Sequence, residues 1–260
     1  MSNVITMIPV RMKASRLPNK PLLDVNGKTV LQRVCENVKK YITGDIYVAA
    51  GDQVIVDACK EYGVPAILTD PTLPSGTDRI ASALKQIDPT GKKYDIVVNF
   101  QGDGLNVDPR VNLPLIDMVD KGLCDIGTCG MIFKTKEESD NPTNVKIVMG
   151  LREGEKEGRA LYFTRAPNCP FTRDPDETKN QDLYHHIGIY VYSAESLRRM
   201  VSLPVGVLEA REKLEQLRAL EDGMVIRARI ITREEMKLVV DAPADVNTPA
   251  ELEEARKYIK

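Results

Sequence analysis

The sequence of 260 residues has little of what would carry it to a membrane, out of the cell or onto nucleic acid. No apolar run reaches the roughly 18–20 residues needed to span a bilayer. The segment from Met1 to Met7 is too short and too uncharged for a secretion signal. Its 36 basic and 38 acidic side chains leave a net charge of −2, which offers no general attraction to nucleic acid or an anionic membrane. We therefore expect a cytoplasmic protein, without nucleic-acid or membrane partners, that captures any anion locally.

Cysteine is also sparse, and its spacing excludes two kinds of site. The sequence has five cysteines, an odd number, and no CxxC pair. Neither a disulfide framework nor a zinc ribbon fits this pattern. We expect reduced thiols that mostly serve in packing at Cys35, Cys59, Cys124, Cys129 and Cys169.

The first hundred residues do contain a regular alternation of apolar runs and amphipathic stretches. The near-continuous apolar run at 94–100 suits a parallel strand covered on both faces. The βαβα order predicts the α/β class, with a doubly wound, Rossmann-like sheet. Strands are predicted at Val4–Val10, Asp45–Ala50, Ala66–Leu68 and Tyr94–Phe100, and helices at Leu31–Tyr41, Val54–Tyr62 and from near Thr77.

After residue 100 the strands follow one another without long helices between them, which predicts a more antiparallel, mixed sheet. We expect one domain over residues 1–260, and the polar segment Thr172–Leu183 is either a mobile surface loop or an inert excursion. The strands are predicted at Asp125–Phe133, Val145–Met149, Ala160–Thr164, Ile187–Tyr192, Met224–Ile231 and Leu238–Val240, and the helices at Val107–Val119, Ser193–Val201, Glu209–Glu221 and Pro249–Ile259.

A basic loop at residues 9–22 follows the first strand directly. Ligands of open α/β sheets bind beyond the carboxyl ends of the strands, where this loop is expected. Each charge-assisted contact to a phosphate oxygen contributes on the order of 1.5–3 kcal/mol. The alternative is a solvated basic loop, but its prolines and the strand that points into it favour phosphate binding. The sequence has neither GxxxxGK[ST] nor GxGxxG, so this is not a P-loop or a dinucleotide fold. The four cations are Arg11, Lys13, Arg16 and Lys20.

Two carboxylates are predicted to reach the same crevice. Asp103 follows the most apolar strand, and Asp241 follows the predicted strand Leu238–Val240. A lone Asp at a strand end is commonly a turn or cap residue. Two of them facing a basic loop favour a Mg²⁺ site, because Mg²⁺ is usually held by one or two carboxylates plus substrate phosphates.

Two further segments have ambiguous roles. Pro74–Arg79 joins a strand to a helix, so its small residues are suited either to ordinary capping or to close approach by a flat nucleobase. His185 and His186 are adjacent on a predicted strand and face opposite ways. They cannot comfortably ligate one metal, and we expect one to be functional or buried and the other exposed.

Seven ordered motifs, which run nearly end to end, resemble the 3-deoxy-manno-octulosonate (KDO) cytidylyltransferases. They are IPVRMKASRLPNKPL at 8–22, SGTDR at 75–79, NFQGD at 99–103, NPTNVKIV at 141–148, ALYFTRAPNCP at 160–170, HIGIY at 186–190 and LEQLRALEDG at 214–223. The resemblance implies a nucleotide-diphospho-sugar transferase type of fold and a homodimer built through the 134–190 segment. It implies that CTP activates an acidic sugar: the anomeric hydroxyl attacks the α-phosphorus, pyrophosphate leaves, and Mg²⁺ neutralises developing charge.

The same resemblance implies a role for individual residues. On the nucleotide side, Lys20, Arg16 and Asp103 would be catalytic, and Asp103 and Asp241 would hold magnesium. The triphosphate would be bound by Arg11, Ser15, Arg16 and Lys20, and the cytosine by Ser75, Gly76, Thr77 and Arg79, with Gln101 also on the nucleotide. The acceptor would be bound by Gln101, Arg165, His186, Tyr190 and Glu209. Among these, Arg165 would pair bidentately with a carboxylate, and His186 would donate to a hydroxyl or carboxylate.

The chain departs from the family pattern at three places. Gly104 and Leu105 replace the Glu and Pro of QGDEP. Around Leu208–Glu209, a family Ser becomes Gly206, and a Gln or His becomes Ala210, followed by Arg211. These changes leave the acceptor open between KDO, a modified or amino-substituted relative, and another acid such as a phosphonate. Loss of the acidic residue at Gly104 also leaves open a catalytically silent nucleotide-binding protein, and an α/β interaction protein without a ligand is the third hypothesis.

The third departure concerns the family's Val-Asp-Thr-Pro signature, which matches either Val240–Pro243 or Val246–Pro249. The second match continues better into a helix but replaces the metal ligand by Asn247. We prefer Asp241, because it ends an apolar strand as a ligand should, and keep Asp245 as the fallback.

Overall fold

The chain divides into two units in the computed structural model, which describes residues 2–13, 16–167, 169–171, 173 and 182–260. The first unit comprises residues 1–113 and 233–260, and the second comprises residues 114–232. The expectation of a single domain over 1–260 stays a prediction. Ser15 and most of the polar segment Thr172–Leu183, namely Thr172 and residues 174–181, lie outside the described residues.

The helices and strands follow the predicted order along most of the chain. The strands are β1 (Val4–Val10), β2 (Asp24–Val25), β3 (Lys28–Thr29), β4 (Asp45–Ala50), β5 (Ala66–Leu68), β6 (Ile96–Asn99), β7 (Ile126–Ile132), β8 (Lys146–Gly150), β9 (Glu157–Thr164), β10 (Tyr184–Ser193) and β11 (Ile226–Ile230). The α-helices are α1 (Val30–Tyr41), α2 (Gln53–Glu61), α3 (Gly76–Ile87), α4 (Leu113–Asp120), α5 (Lys136–Asp140), α6 (Ala194–Ser202), α7 (Val207–Glu212), α8 (Gln216–Glu221), α9 (Arg233–Met236) and α10 (Pro249–Tyr258). Short 3₁₀ turns cover Lys20–Leu22 and Pro109–Asn112.

In the first unit, four parallel strands lie side by side in the order β5-β4-β1-β6. Every residue of β6 is buried, which explains its continuous apolar run. Because the strands are parallel, the carboxyl ends of β1 and β6 lie at the same edge of the sheet. That edge therefore receives both the basic loop and Asp103.

The core of the first unit is built from β1 and helix α1. The Thr29 side chain caps α1 by accepting a hydrogen bond from the Gln32 backbone N–H at 3.1 Å. Leu31, Val34 and Val38 recur at helical spacing and are fully buried. Each such burial contributes about 1.5–3 kcal/mol, so this face holds α1 on the sheet that positions the loop.

In the second unit, the strands form a mixed sheet in the order β10-β7-β11-β9-β8. The pairs β10–β7, β11–β9 and β8–β9 are antiparallel, and β11–β7 is parallel. Strand β10 also pairs with β8, so the two ends of the row meet. The more antiparallel character expected after residue 100 is thus present.

Three predicted elements differ from the structure. The stretch Val107–Val119 begins as a 3₁₀ turn, because the Asp108 side chain accepts from the Arg110 N–H before α4 starts. The stretch Glu209–Glu221 forms two helices, because Lys213 adopts a left-handed conformation at φ 55°.

The predicted strand Leu238–Val240 is wrong. Asn106 occupies the backbone groups that a strand would offer: it accepts from Val239 N–H at 2.8 Å and donates to the carbonyls of Val239 and Ala242. A single antiparallel bridge, Val107 to Lys237, is all the pairing that forms beside it. The Asn106 side chain, which is distant in sequence, therefore takes the place of the interstrand hydrogen bonds of a β-sheet.

All five cysteines are free thiols, and four of them are buried, in agreement with a packing role. Among the described residues, every helix is too short or too polar to traverse a bilayer.

Candidate active site

A cavity of about 350 Å³ opens at the carboxyl ends of β1 and β6 in the first unit. Its wall brings together the basic loop, the start of α3, the segment after β6 and the residue before α10. The lining residues are Pro9, Val10, Arg11, Lys13, Arg16, Leu17, Lys20, Pro21, Ser75, Gly76, Arg79, Gln101, Gly102, Asp103 and Asn247. A cavity this polar, with five cations in its wall, is suited to a polyanionic ligand.

The centre of this cavity is an ion pair between Lys20 and Asp103. Lys20 Nζ lies 2.6 Å from Asp103 Oδ2, and only 16% of the Lys20 side chain and 28% of the Asp103 side chain are exposed. Lys20 Nζ also donates to Asn247 Oδ1 at 2.9 Å. The ammonium is thereby fixed, within the pocket, by one residue that follows β6 and one that precedes α10.

Glycine at position 102 allows this approach. A Cβ on Gly102 would lie 2.7 Å from Val10 Cγ2 and 2.9 Å from the Pro9 carbonyl oxygen. Any larger residue would push the segment that carries Asp103 away from the end of β1. The Gln101-Gly102-Asp103 sequence is therefore set by packing as well as by chemistry.

The remaining loop cations are available for a ligand. In the described part of the chain, Arg11, Lys13 and Arg16 form no ion pair. The backbone of this loop is tied instead, since the Met12 N–H donates to Asp52 Oδ2 at 2.8 Å. This contact removes part of the backbone ordering cost at Met12, whereas the exposed side chains still lose rotamer freedom when they bind phosphate.

The predicted nucleobase segment caps helix α3. Ser75 Oγ accepts from the Asp78 N–H at 3.1 Å and donates to Asp78 Oδ2 at 2.7 Å. Ser75 and Gly76 line the cavity, and a Cβ on Gly76 would come within 3.3 Å of Pro9 Cγ. Thr77 is 1% exposed and is not among the lining residues, so it supports the segment from behind.

Arg79 is a buried cation at the cavity wall. Its Nη1 donates to Thr69 Oγ1 at 2.7 Å and to the Asp70 carbonyl at 3.1 Å. Burial, and next the charge of Arg11, lower the pKa of Arg79. Gly51 makes room for it, because a Cβ there would lie 2.7 Å from Arg79 Nη1.

Asp241, unlike Asp103, is not among the residues that line the cavity. It is exposed in a turn, and the strand that was the reason to prefer it is not formed. Asn247 stands in the cavity wall, and its Nδ2 donates to Asp245 Oδ2 at 2.6 Å. Although Asp245 is an exposed residue, desolvation of its carboxyl group and next the charge of Asp103 raise its pKa. The carboxylate within electrostatic reach of Asp103 is therefore that of Asp245.

Of the predicted acceptor residues, Gln101 lies in the wall of the first unit's cavity, whereas Arg165, His186, Tyr190 and Glu209 belong to the second unit. Arg165 Nε donates to the Glu212 carbonyl at 2.9 Å, and its Nη1 donates to the Pro142 carbonyl at 3.0 Å. Two of the three guanidinium nitrogens are thus engaged with the backbone, which leaves Nη2 for an anion and contradicts the predicted bidentate pairing.

Glu209 forms a buried ion pair with Arg218. Its two carboxylate oxygens accept from Arg218 at 2.7 and 2.6 Å, and hydrogen bonding to Arg218 lowers the pKa of Glu209. Close by, a Cβ on Gly206 would lie 1.9 Å from Glu221 Oε2. The family Ser therefore cannot stand at position 206 unless Glu221 moves.

His186 is buried and neutral. Burial, and next the charge of His185, lower the pKa of His186 to about 3. Thr128 Oγ1 lies 2.7 Å from the Ile189 carbonyl, which takes its single proton, so the contact of 3.0 Å from His186 Nε2 to Thr128 Oγ1 requires a proton on Nε2. Nδ1 is then a hydrogen-bond acceptor, and His186 cannot donate to a carboxylate as expected without losing Thr128.

Tyr190 packs beside His186 with ring centroids 5.4 Å apart. It is 7% exposed, and burial raises its pKa. One histidine, His186, is buried as expected, whereas His185, which was expected to be exposed, is half-buried and stacks on Phe133 with ring centroids 5.1 Å apart.

The departures beside Asp103 have structural reasons. A Cβ on Gly104 would lie 3.0 Å from Val107 Cγ2, so a glutamate here would require Val107 to shift. Leu105 is 1% exposed and belongs to the core of the first unit. At Gly104 and Leu105, apolar packing thus replaces the carboxylate and the proline of the family pattern.

The sequence analysis assigned no role to two polar residues of the cavity wall, Lys13 and Asn247. Lys13 was counted among the loop cations without a role. Asn247 lay in Val246–Pro249, the alternative match to the family signature. The capping box of Thr248 and Glu251 at the start of α10 was a signal for choosing that match.

A family model described as cytidylyltransferase matches residues 5–230 of the chain. The chain is 43% identical over 256 residues to the 3-deoxy-manno-octulosonate cytidylyltransferase of Paramagnetospirillum magneticum, covering 98% of this chain and 97% of that protein. The chain belongs to the KDO cytidylyltransferase family. It is 41% identical to the Rhodospirillum centenum member, over 99% of this chain and 93% of that protein.

Comparison of structures leads to the same family. The structure of a CMP:2-keto-3-deoxy-manno-octonic acid synthetase complexed with CTP matches with a TM-score of 0.83 and 32% identity, over 98% of each chain. As a KDO cytidylyltransferase family member, this chain is a nucleotidyltransferase that uses CTP. Its mixed sheet with helices is the fold of that group.

Proposed function

We propose that this chain is a Mg²⁺-dependent cytidylyltransferase that moves CMP from CTP to the anomeric hydroxyl of KDO or a related acidic sugar and releases pyrophosphate. The observation that carries the proposal is the cavity that Arg11, Lys13 and Arg16 line together with the Lys20–Asp103 ion pair. The family relationship supports CTP as the nucleotide and KDO as the acceptor.

The loop cations would act by position and charge. Lys20 is held by Asp103 and Asn247, so its ammonium stays at one point as charge develops on the departing pyrophosphate. Arg11 and Arg16 would hold the triphosphate. Preorganised charge of this kind lowers the barrier because no reorganisation is needed during the reaction.

The nucleobase would lie against the start of α3. The lining residues Ser75 and Gly76 form a small, polar surface that a flat base can approach closely. Arg79 supports this surface from the cavity wall with its hydrogen bonds to Thr69 and Asp70.

The carboxylates fit a magnesium ion that is completed by substrate. In the described chain, no three His, Cys, Asp or Glu side chains form a group that could enclose a metal. Mg²⁺ bound by one or two carboxylates plus phosphates needs no such group. Desolvation and next the charge of Asp103 raise the pKa of Asp245, and a cation between the two carboxylates would relieve this repulsion. We therefore assign Asp103 and Asp245, rather than Asp241, to magnesium, which would neutralise phosphate charge.

The acceptor groups would come from the second unit. Arg165 Nη2 would meet the carboxylate of the sugar, and the Nδ1 of His186 would accept from one of its hydroxyls. Glu209 would act through its ion pair with Arg218, which fixes its carboxylate within the second unit.

Pyrophosphate release tests the proposal. With each of the four nucleoside triphosphates, Mg²⁺ and KDO, we expect acceptor-dependent pyrophosphate from CTP. Lys20→Met should lower kcat by about 10²–10³-fold, because one preorganised charge is removed. Lys28→Met removes an exposed lysine paired with Glu36 and should leave kcat unchanged. If no triphosphate gives acceptor-dependent pyrophosphate with any acidic sugar or phosphonate, the proposal is wrong.

A further inference from the structure

Lys146 is a buried lysine in the second unit, outside every group assigned above. It begins β8, its side chain is fully buried, and burial lowers its pKa. Its Nζ donates to the carbonyl oxygens of Asn141 at 3.0 Å, Asn144 at 2.9 Å and Arg165 at 3.3 Å. An ammonium has three hydrogens, and these three acceptors use them all.

Lys146 thus binds the turn at residues 141–144, and a second cation, Arg165, binds the same turn. Arg165 Nη1 donates to the carbonyls of Pro142 at 3.0 Å and Thr143 at 3.3 Å. Four consecutive carbonyl oxygens, from residues 141 to 144, therefore accept from only two side chains, Lys146 and Arg165. Lys146 also binds the carbonyl of Arg165 itself, so the two cations and the turn form a closed cluster.

Glu212 holds Arg165 from the other side. Its carboxylate accepts from Thr164 Oγ1 at 2.7 Å and from the Arg165 N–H at 2.9 Å. Its carbonyl accepts from Arg165 Nε at 2.9 Å. The backbone and the guanidinium of Arg165 are thus both fixed, and Nη2 is the part of the guanidinium without a partner among the described residues.

Lys146 pairs with residues of two neighbouring strands. In β8 it lies opposite Thr164 of β9 and opposite His185 of β10. Arg165 comes directly after the end of β9, and His186 is the next residue of β10; these are the two groups proposed for the acceptor's carboxylate and hydroxyl. A shift of Lys146 would therefore be transmitted to both.

We propose that Lys146 is a positioning residue for the acceptor: it locks the turn at 141–144 so that Arg165 presents Nη2 in one fixed direction to an anionic group of the sugar. The inference rests on the proposed function in one respect, that Arg165 meets the acceptor's carboxylate. Lys146 itself touches no substrate, because its hydrogens are consumed by backbone carbonyls.

Lys146→Met removes the ammonium and keeps most of the side-chain volume. We expect a KM for KDO raised about tenfold, the change expected when one charge-assisted contact is weakened, with the KM for CTP and the rate at saturating KDO close to wild type. Lys156→Met, which removes an exposed lysine from the same unit, is the matched control. In an Arg165→Ala background the Lys146→Met change should have no further effect on the KM for KDO, because both act through one contact.

Two kinetic results would overturn the proposal. One is a parallel rise of the KM for KDO and the KM for CTP in Lys146→Met, and the other is additive effects on the KM for KDO in the double variant. A measurement without substrate separates this inference from the proposed function. The ¹⁵N–¹H resonance of Arg165 Nε, which donates to Glu212, should shift or broaden in Lys146→Met and stay unchanged in Lys156→Met. An unaltered Arg165 Nε resonance in Lys146→Met would contradict the positioning role, whether or not KDO is the acceptor. If the Met variant does not fold, Lys146→Gln, which keeps two of the donors, replaces it throughout.

Discussion

The ionisation state of His186 is determined by its immediate neighbours, and it has a consequence for stability. Folding lowers the pKa of this histidine from 6.5 to about 3 by burial, so the unfolded chain binds the proton more readily than the folded one. The stability that His186 contributes is complete above about pH 6.5 and is lost as the pH falls toward 3. Within that window, each pH unit costs about 1.4 kcal/mol for a single such group.

We therefore predict that the free energy of unfolding, measured by urea titration between pH 6.5 and 5, falls with pH in the wild type. His186→Gln keeps a donor for Thr128 and has no proton to gain, so its profile should be flatter by roughly 1.5–2 kcal/mol over the range. Equal slopes in the two proteins would contradict the buried neutral state.

Asp245 provides a second test at the scale of single residues. Asp245→Asn should raise the Mg²⁺ concentration needed for half-maximal pyrophosphate release about tenfold, because one of two carboxylates near the metal loses its charge. Asp241→Asn changes an exposed carboxylate outside the cavity wall and serves as the control. A larger effect of Asp241→Asn would restore the choice made from the sequence.

The positions of single site residues were predictable where they depend on elements nearby in the sequence. The basic loop follows its strand directly, so the placement of Arg11, Arg16 and Lys20 follows from the sheet edge alone. The choice between Asp241 and Asp245 depended on Asn106, a residue more than 130 positions away that prevents the strand before Asp241. Such a partner leaves no periodic signal in the sequence.

At the scale of elements, the N-terminus of α3 combines a helix cap with a proposed contact to the nucleobase. Ser75→Ala removes a cap and should lower the free energy of unfolding by about 1 kcal/mol. Ser193 caps α6 in the same way, accepting from the Ser196 N–H and donating to the Ser196 hydroxyl, and Ser193→Ala should cost a similar amount.

Only Ser75→Ala should also raise the KM for CTP, because only Ser75 lines the cavity. Denaturant titrations and initial rates at varied CTP measure both quantities on the same preparations. An unchanged KM for CTP in Ser75→Ala would remove this segment from the nucleotide site.

Elements with a strong period were predicted well. The bounds of β1, β4 and β5 agree to the residue, since each is a short apolar run between turn signals. The helix predicted over Glu209–Glu221 failed at Lys213, which adopts a left-handed conformation that usually marks Gly or Asn. Without that residue type, the sequence contained no signal for the break.

At the scale of the whole molecule, the resemblance of seven ordered motifs placed the chain in the correct family. The residues proposed for the nucleotide are clustered in the first unit, whereas the groups proposed for the acceptor, apart from Gln101, belong to the second. The departures at Gly104 and Gly206 are accommodated by Val107 and Glu221 within their own units. The homodimer through residues 134–190 stays a prediction.

The transfer itself is the central claim, and phosphorus NMR follows it directly. In a mixture of protein, CTP, Mg²⁺ and KDO, we expect the three CTP resonances to decline together while one phosphodiester resonance and pyrophosphate appear in equal amounts, and only when KDO is present. Omission of Mg²⁺ should stop both products. If CTP stays intact in the complete mixture, or pyrophosphate forms without the phosphodiester, then this chain does not transfer CMP to KDO.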